Sequence, residues 1–184
     1  WIEGVKLKDR NEIKNNGLIP SSFIRTGVIS GLQQLFEHGY FHADPHPGNM
    51  FAMEGGDEKN GNIAYVDFGM MDSISDSDRL TLIKAIVHLI NNEFFLLAKD
   101  FQKLGFLSSD QNLEVLVNPL KEVLGDSLGK EVGNFNFKEI TDKFSKLMYS
   151  YPFRVPSRFA LIIRAVVSQE GLALRLDPGF KIIN

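Results

Sequence analysis

The sequence predicts a mainly α fold with one small β-hairpin, and three observations predict it. Apolar residues recur at steps of three and four in several separate stretches, which is the period of a helix with one buried face. Between Tyr40 and Gly69 that period is lost, and prolines, glycines and asparagines crowd in. The 184 residues are 43% hydrophobic and 23% charged, an ordinary globular balance with room for a sizeable core. Such a composition excludes a disordered tail, a collagen-like fibre and a low-complexity linker.

Residues Trp1–Asn16 are a short apolar start followed by a charged, polar run. Pro20-Ser21-Ser22 marks a helix start, with Ser21 or Ser22 as its cap. Ile24, Val28, Leu32, Leu35 and Phe36 then form the apolar face of a helix over 21–39. Gly27 and Gly31 lie on nearly the same face and would let another helix approach closely, and Gly39 is placed to stop the helix. Tyr40-Phe41 is a short apolar step. His42-Ala43-Asp44-Pro45-His46-Pro47-Gly48-Asn49 follows, where two prolines and a glycine disfavour helix and regular strand alike. Met50–Met53 and Ile63–Val66 predict two strands joined by the turn-rich connection 54–62.

From residue 70 onward the pattern is helical. Ser75–Asp78 supplies caps, and Leu80, Ile83, Val87 and Ile90 mark an apolar stripe. Glu93–Leu104 turns Phe94, Leu97, Phe101 and Leu104 inward and stops at Gly105. Gln111–Leu124 is a third helix that Pro119 should kink or split, and Phe137–Tyr149 a fourth. The last runs from near Ser157 to about Leu176, apolar nearly all round in its first half and so expected to be buried. No internal repeat or flexible linker interrupts the chain. The organisation expected is one helical domain over 1–184, divided at 20, 39 and 69 into segment, helix, loop with hairpin, and helical remainder.

The net charge is −3, so there is no bulk electrostatic reason for binding nucleic acid. With no cysteine, disulfides, thiolate nucleophiles and Cys-ligated zinc are excluded, which fits a reducing compartment. The most apolar stretches are Leu82–Ile90, broken by Lys84 and His88, and Phe159–Val167, broken by Arg164. Neither reaches the ~20 clean residues that span a bilayer. The abrupt start at Trp1-Ile2-Glu3-Gly4 suggests a piece of something longer.

The segment that carries chemistry is His42–Asn49 with Asp67-Phe68-Gly69 beyond it. If Met53 pairs with Ile63, antiparallel pairing sets Asn49 opposite Asp67. A carboxamide and a carboxylate would then meet as hard oxygen donors suited to Mg²⁺ whose other ligands are phosphate and water. Asp44 precedes Asn49 at the spacing of the kinase catalytic loop, Asp-x-x-x-x-Asn, in which the Asp orients or deprotonates the attacking hydroxyl. Asp67 would bridge the metal to the phosphates, and Gly69 would permit a turn with positive φ. His42, Asp44 and His46 alternate and could form a metal triad, or His42 could simply brace the loop. His38 and His88 have no partner at an informative spacing. Arg164 interrupts an apolar helix, with Glu170 six residues on, and should be paired, either in an ion pair that locks the helix to the catalytic loop or hairpin or in a substrate contact.

With these residues in hand, the chain resembles the UbiB/AarF family of atypical kinase-like proteins, associated with coenzyme Q and other prenyl-lipid quinones. The resemblance rests on Trp1–Leu7, on His42–Asn49 read as HADPHPGN, on Asp67–Met71 read as DFGMM, and on Arg164 with Glu170-Gly171 and Leu176-Asp177-Pro178. Its flavour is closest to cyanobacterial and plastid members. It implies the C-terminal lobe of a protein-kinase-like (α+β) fold, with residues 1–20 following the hinge and the N-lobe preceding Trp1. It implies Asp44 as the catalytic-loop aspartate, Asn49 and Asp67 as ligands of Mg²⁺ (or Mn²⁺), and ATP or ADP as the nucleotide. His42, His46, Phe68, Gly69, Arg164 and Glu170 fall to structural support. It implies ATP hydrolysis or phosphoryl transfer in a longer parent, with this segment alone inactive, since phosphoryl transfer needs groups from both lobes. Lipid- or quinone-pathway proteins and a membrane surface are partners the parent would meet, in a bacterial cytoplasm, a plastid or a mitochondrion. No Ala-Pro-Glu follows Asp67-Phe68-Gly69, so a conventional peptide-substrate groove is not supported.

Three other readings stay open at this stage. One is a small-molecule phosphotransferase of the aminoglycoside or choline kinase type. Another is a non-catalytic pseudokinase scaffold. The third is a metal-dependent hydrolase built on His42, Asp44 and His46.

Overall fold

The computed structural model describes residues 2–57, 60–125, 142, 145 and 147–178. The fold is mainly helical with small antiparallel sheets, in two compact units. The first comprises the chain up to Ser73 together with the helix from Leu161 onward, and the second the stretch from Ile74 to Ala160.

The first unit begins with β1 (Val5–Lys6) and α1 (Arg10–Asn15). Asp9 caps α1, its Oδ1 accepting the amides of Asn11 and Glu12. α2 (Pro20–Leu32) starts differently from expectation. Pro20 takes the first helical position, and no side chain caps the helix. The buried Ser22 instead donates its hydroxyl to the Ile19 carbonyl at 2.7 Å. Phe23, Ile24 and Leu35 are buried, but Leu32 is exposed. Eight residues after Ile24 a straight helix has turned about 80° off that face. A wide π-type turn over Gln33–His38 then closes at Gly39, in the left-handed region at φ 69°.

β2 (Tyr40–His42) leads through the loop to a single 3₁₀ turn at Pro47–Asn49 and into β3 (Met50–Met53). β4 (Asn62–Tyr65) pairs with β3, and β1 pairs with β3 on its other edge. Met53 faces Asn62, not Ile63, so the hairpin is one residue out of the expected register and Asn49 lies opposite Val66. The fixed point is the connection. The Gly61 amide donates to the Ser22 carbonyl at 3.2 Å, and a Cβ at Gly61 would strike the buried Phe23 ring. β5 (Met71–Ser73) returns antiparallel to β2, with Phe41 opposite Asp72. Strands of three residues are too short to show alternation in sequence, and neither β2 nor β5 was anticipated as a pair.

In the second unit α3 (Asp76–Ile90) is capped by Ser75, whose hydroxyl accepts the Asp78 amide at 3.1 Å. The expected apolar stripe on α3 is not its buried face: Leu80, Val87 and Ile90 are exposed, and Ala85 is the buried residue. Leu80 lies about 140° round the helix from Ala85. Ala85 shares its face with His88, which pairs with α4 (Phe94–Lys103). α4 follows expectation, with Phe94, Leu97 and Leu104 buried and Gly105 ending it at φ 83°. α5 (Glu114–Leu120) holds Pro119 and passes straight into a π-type turn at Lys121–Gly125, the disruption a helical proline imposes. Of the expected helix Phe137–Tyr149, most lies outside the described residues, and 147–150 are helical. Phe106 stacks with Phe101 and Phe159 at centroid distances of 5.6 and 5.0 Å, the aromatic centre of this unit.

α6 (Ser157–Leu176) has the predicted bounds. Its first half buries one face through Phe159, Ile162 and Ala165, while Ala160 and Arg164 are exposed, so it is amphipathic there and not apolar all round. Its second half closes the core of the first unit, where Leu172, Ala173 and Leu176 pack with Leu7, Ile13, Phe23 and Met50. Of the two glycines on α2, Gly31 admits a helix, since a Cβ there would collide with the Gln169 side chain of α6. Gly27 instead faces the hairpin, where a Cβ would lie 3.5 Å from Ile63 and 3.7 Å from Met50. Among the described residues no helix is long and apolar enough to cross a membrane.

Candidate functional site

The loop between β2 and β3 is held by its own polar groups. Its entry is fixed by Gln34, whose Oε1 accepts the His42 amide at 3.0 Å while its Nε2 donates to Ser30 Oγ at 3.2 Å. The Ala43 amide donates to the Met70 carbonyl at 2.8 Å, tying the loop to the segment after Asp67-Phe68-Gly69. His42 is buried, and its Nδ1 accepts the Asp44 amide at 3.1 Å. That acceptor role assigns the ring proton to Nε2, which lies 3.5 Å from the Val66 carbonyl. His46 does the same locally, its Nδ1 accepting the Gly48 amide at 3.1 Å. The Asp44 carbonyl accepts the His46 amide, and the His46 carbonyl accepts the Asn49 amide, both at 2.7 Å. Both histidines therefore brace the loop through Nδ1. Among the described residues no three His, Asp, Glu or Cys side chains form a metal-holding set.

At the exit of the loop, the Asn49 carbonyl accepts the Val66 amide at 2.9 Å, and its Nδ2 is 3.5 Å from the Asp44 carbonyl. Asp67, the next residue after Val66, sits just past the paired end of the ribbon and is exposed. Its backbone, not that of Gly69, takes the left-handed conformation, at φ 60°. The expectation for Gly69 is corrected here. Gly69 serves another end, giving its amide to Asp67 Oδ1 at 3.3 Å, in a space where a Cβ would press on that same oxygen at 3.1 Å. A non-glycine residue held in this region carries about 1–2 kcal/mol of strain.

Phe68 is 63% exposed, with its ring 6.0 Å from that of His42. Together with Gln34, Tyr40, Tyr65 and Met71 these rings line a largely apolar pocket of about 330 Å³. Burial pushes the Tyr65 phenol above its ordinary value of 10.0, with a smaller opposing pull from the Ser30 hydroxyl.

The partner that Arg164 calls for is Asp44 itself. Arg164 Nη2 lies 3.3 Å from Asp44 Oδ1, and one turn later Ser168 Oγ donates to the Pro45 carbonyl at 3.4 Å. Arg164 is half-exposed, so it does not lie on the buried face expected of it. Glu170 is buried, about 240° round α6 from Arg164. Gln34 and Ser168 were missed from sequence. Ser168 carried a signal, being four residues from Arg164 and so on its face, whereas nothing in the spacing marks Gln34.

Asp44 Oδ2, Asn49 Oδ1 and Asp67 Oδ2 accept no hydrogen bond among the described residues. Two carboxylate oxygens and a carboxamide oxygen from one loop and the adjoining ribbon end are thus left without a donor, and these groups are hard, oxygen-only ligands.

A model of the ABC1 atypical kinase-like domain matches residues 1–100. The chain belongs to the ABC1 atypical kinase-like family. Relatives extend the match over the whole chain. One is an uncharacterized protein of Synechocystis sp., 54% identical over 183 residues. Another is the Arabidopsis thaliana protein named ACTIVITY OF BC1 COMPLEX KINASE 1, chloroplastic, 42% identical over 183 residues. A third is an uncharacterized aarF domain-containing protein kinase, chloroplastic, also of Arabidopsis thaliana, at 34%. In each case all of this chain is covered, but only 31%, 26% and 25% of the relative. The chain spans about a quarter to a third of the length of the curated relatives it matches. The ABC1 match includes the whole of the loop and Asp67-Phe68-Gly69, whereas α6 with Arg164 lies beyond it.

Proposed function

We propose that this ABC1 segment carries the metal–nucleotide half of a phosphotransfer site, in a protein that hydrolyses ATP or transfers its γ-phosphoryl group. The observation that carries the reading is the Asn49–Val66 backbone bond of 2.9 Å, which holds Asp67 at the same ribbon end as the loop bearing Asp44. Asp44 orients or deprotonates the attacking hydroxyl or water through its open Oδ2. Asn49 and Asp67 would hold Mg²⁺ or Mn²⁺. The fit is chemical: a carboxamide oxygen and a carboxylate oxygen with unfilled lone pairs suit a hard cation that keeps water and phosphate as its other ligands. Bound there, the ion would neutralise phosphate charge. The parent protein would support isoprenoid-quinone or lipid metabolism, a reading that the family resemblance favours.

The test is Mg²⁺-dependent ATP turnover by the full-length protein and by its Asp44→Asn and Asp67→Asn variants. Both variants are expected to lose turnover by at least about a hundredfold. Turnover unchanged in Asp67→Asn removes Asp67 from the mechanism, and turnover unchanged in Asp44→Asn removes Asp44.

A further inference from the structure

We infer that Arg164 is the positioning residue for Asp44, and that α6 is the platform on which the catalytic loop is set. The inference rests on the proposed role of Asp44. Two contacts from one face of α6 reach two consecutive residues of the loop. Arg164 Nη2 meets Asp44 Oδ1 at 3.3 Å, and Ser168 Oγ meets the Pro45 carbonyl at 3.4 Å. They are spaced four residues apart, one helical turn, and Gln169, next to Ser168, seats over Gly31 of α2. The helix is thus wedged against α2, which leads directly into the π-type turn that supplies Gln34 to the loop entry. The loop is held at its start by the π-type turn that follows α2 and at Asp44-Pro45 by α6.

Stability does not explain the arginine. Its side chain is 55% exposed and that of Asp44 26%, and ion pairs this open add little to stability. A structural anchor would be buried, as the Pro45 beneath it is. What the contact does is geometric. It ties down Oδ1 and leaves Oδ2 without a partner among the described residues, so one defined oxygen faces the acceptor. The residue two places before Asp44 is His42, and its ring is committed to the Asp44 amide, so it fixes the backbone but not the carboxylate. Asp44 and Arg164 are 120 positions apart in sequence, so the pairing comes from the fold and not from the loop's own motif.

The experiment uses the full-length protein. Arg164→Ala should lower kcat for Mg-ATP turnover about ten- to hundredfold, the range a misplaced reacting group produces. Affinity for Mg-ADP should stay within about twofold and the unfolding midpoint nearly unchanged, because neither metal ligand nor core is touched. Arg164→Lys, which keeps the charge but not the planar fork, should recover part of the loss. Three results overturn the inference: an unchanged kcat in Arg164→Ala, a parallel fall of kcat, Mg-ADP affinity and midpoint, or no gain from lysine over alanine. Asp44→Asn in the same series keeps the two claims apart. If it turns over like wild type, the reading of Asp44 fails and takes the role of Arg164 with it. If it is inactive while Arg164→Ala is fully active, only the inference about Arg164 fails.

Discussion

The carbonyl of Asn49 accepts the amide of Val66 at 2.9 Å, so the last bond of the hairpin joins the loop bearing Asp44 to the residue before Asp67. Register then decides which side chains leave the ribbon together. A shift of one residue would put Asp67 inside the ladder and turn it to the other face. As it stands, Asp67 is the first residue free of the ladder, and it bends the chain through a left-handed conformation at φ 60°.

That strain is testable. Asp67→Ala and Asp67→Gly remove the same carboxylate, but only glycine adopts positive φ without penalty. The glycine variant should unfold later than the alanine variant by about 1 kcal/mol at the denaturant midpoint, while both lose Mg²⁺-dependent nucleotide binding. Equal midpoints would mean that the backbone at Asp67 is not strained.

A second prediction concerns the second unit. His88 Nδ1 lies 2.6 Å from Asp100 Oδ2, and Lys103 Nζ lies 3.4 Å from Oδ1 of the same, almost fully buried carboxylate. His88→Ala leaves that carboxylate with the lysine and should cost about 2–4 kcal/mol. Replacing both residues should cost less than the sum of the single changes, with a coupling of about 1–3 kcal/mol in a double-mutant cycle of unfolding midpoints. Additive losses would show that the two do not interact.

Tyr65 supplies a pH dependence. Burial raises its folded-state value above 10.0, so the neutral phenol is the form the fold accepts. Its stabilising contribution is fully present below 10.0, and is lost as pH rises from there through the raised folded value, because the unfolded chain ionises first. Tyr65→Phe has no such group. The thermal midpoint of wild type relative to Tyr65→Phe should be constant near about pH 8 and fall by about pH 11. A difference that stays flat over that range contradicts the burial of the phenol.

Much of this was legible in the residues, and the failures have physical causes. α6 was read with its true ends, and α4 with its buried face, because long amphipathic segments with clear stop residues carry their own period. α3 was misread on the same rule. Its apolar residues do form a stripe, but the face that packs carries Ala85 and His88, and the charge that claims His88 sits on another helix. The hairpin was found and its register missed by one. The register is set where Gly61 docks on Ser22 and Phe23 of α2, a tertiary contact invisible to strand pattern. In the site, the need of Arg164 for a partner was readable from a charge in an apolar run, but the partner's identity required 120 residues of chain to fold back. Positive φ was assigned to Gly69 by residue type, whereas it falls on Asp67 because Gly69 is needed close against the Asp67 carboxylate.

The central claim is that Asn49 and Asp67 hold a divalent cation against nucleotide phosphates. Its most direct test is calorimetric titration of ADP into full-length wild type and Asp67→Asn, each with Mg²⁺ and with chelator. The claim predicts that Mg²⁺ strengthens ADP binding by at least about tenfold in wild type and not at all in the variant. Equal Mg²⁺ enhancement in both proteins, or none in wild type, would contradict it.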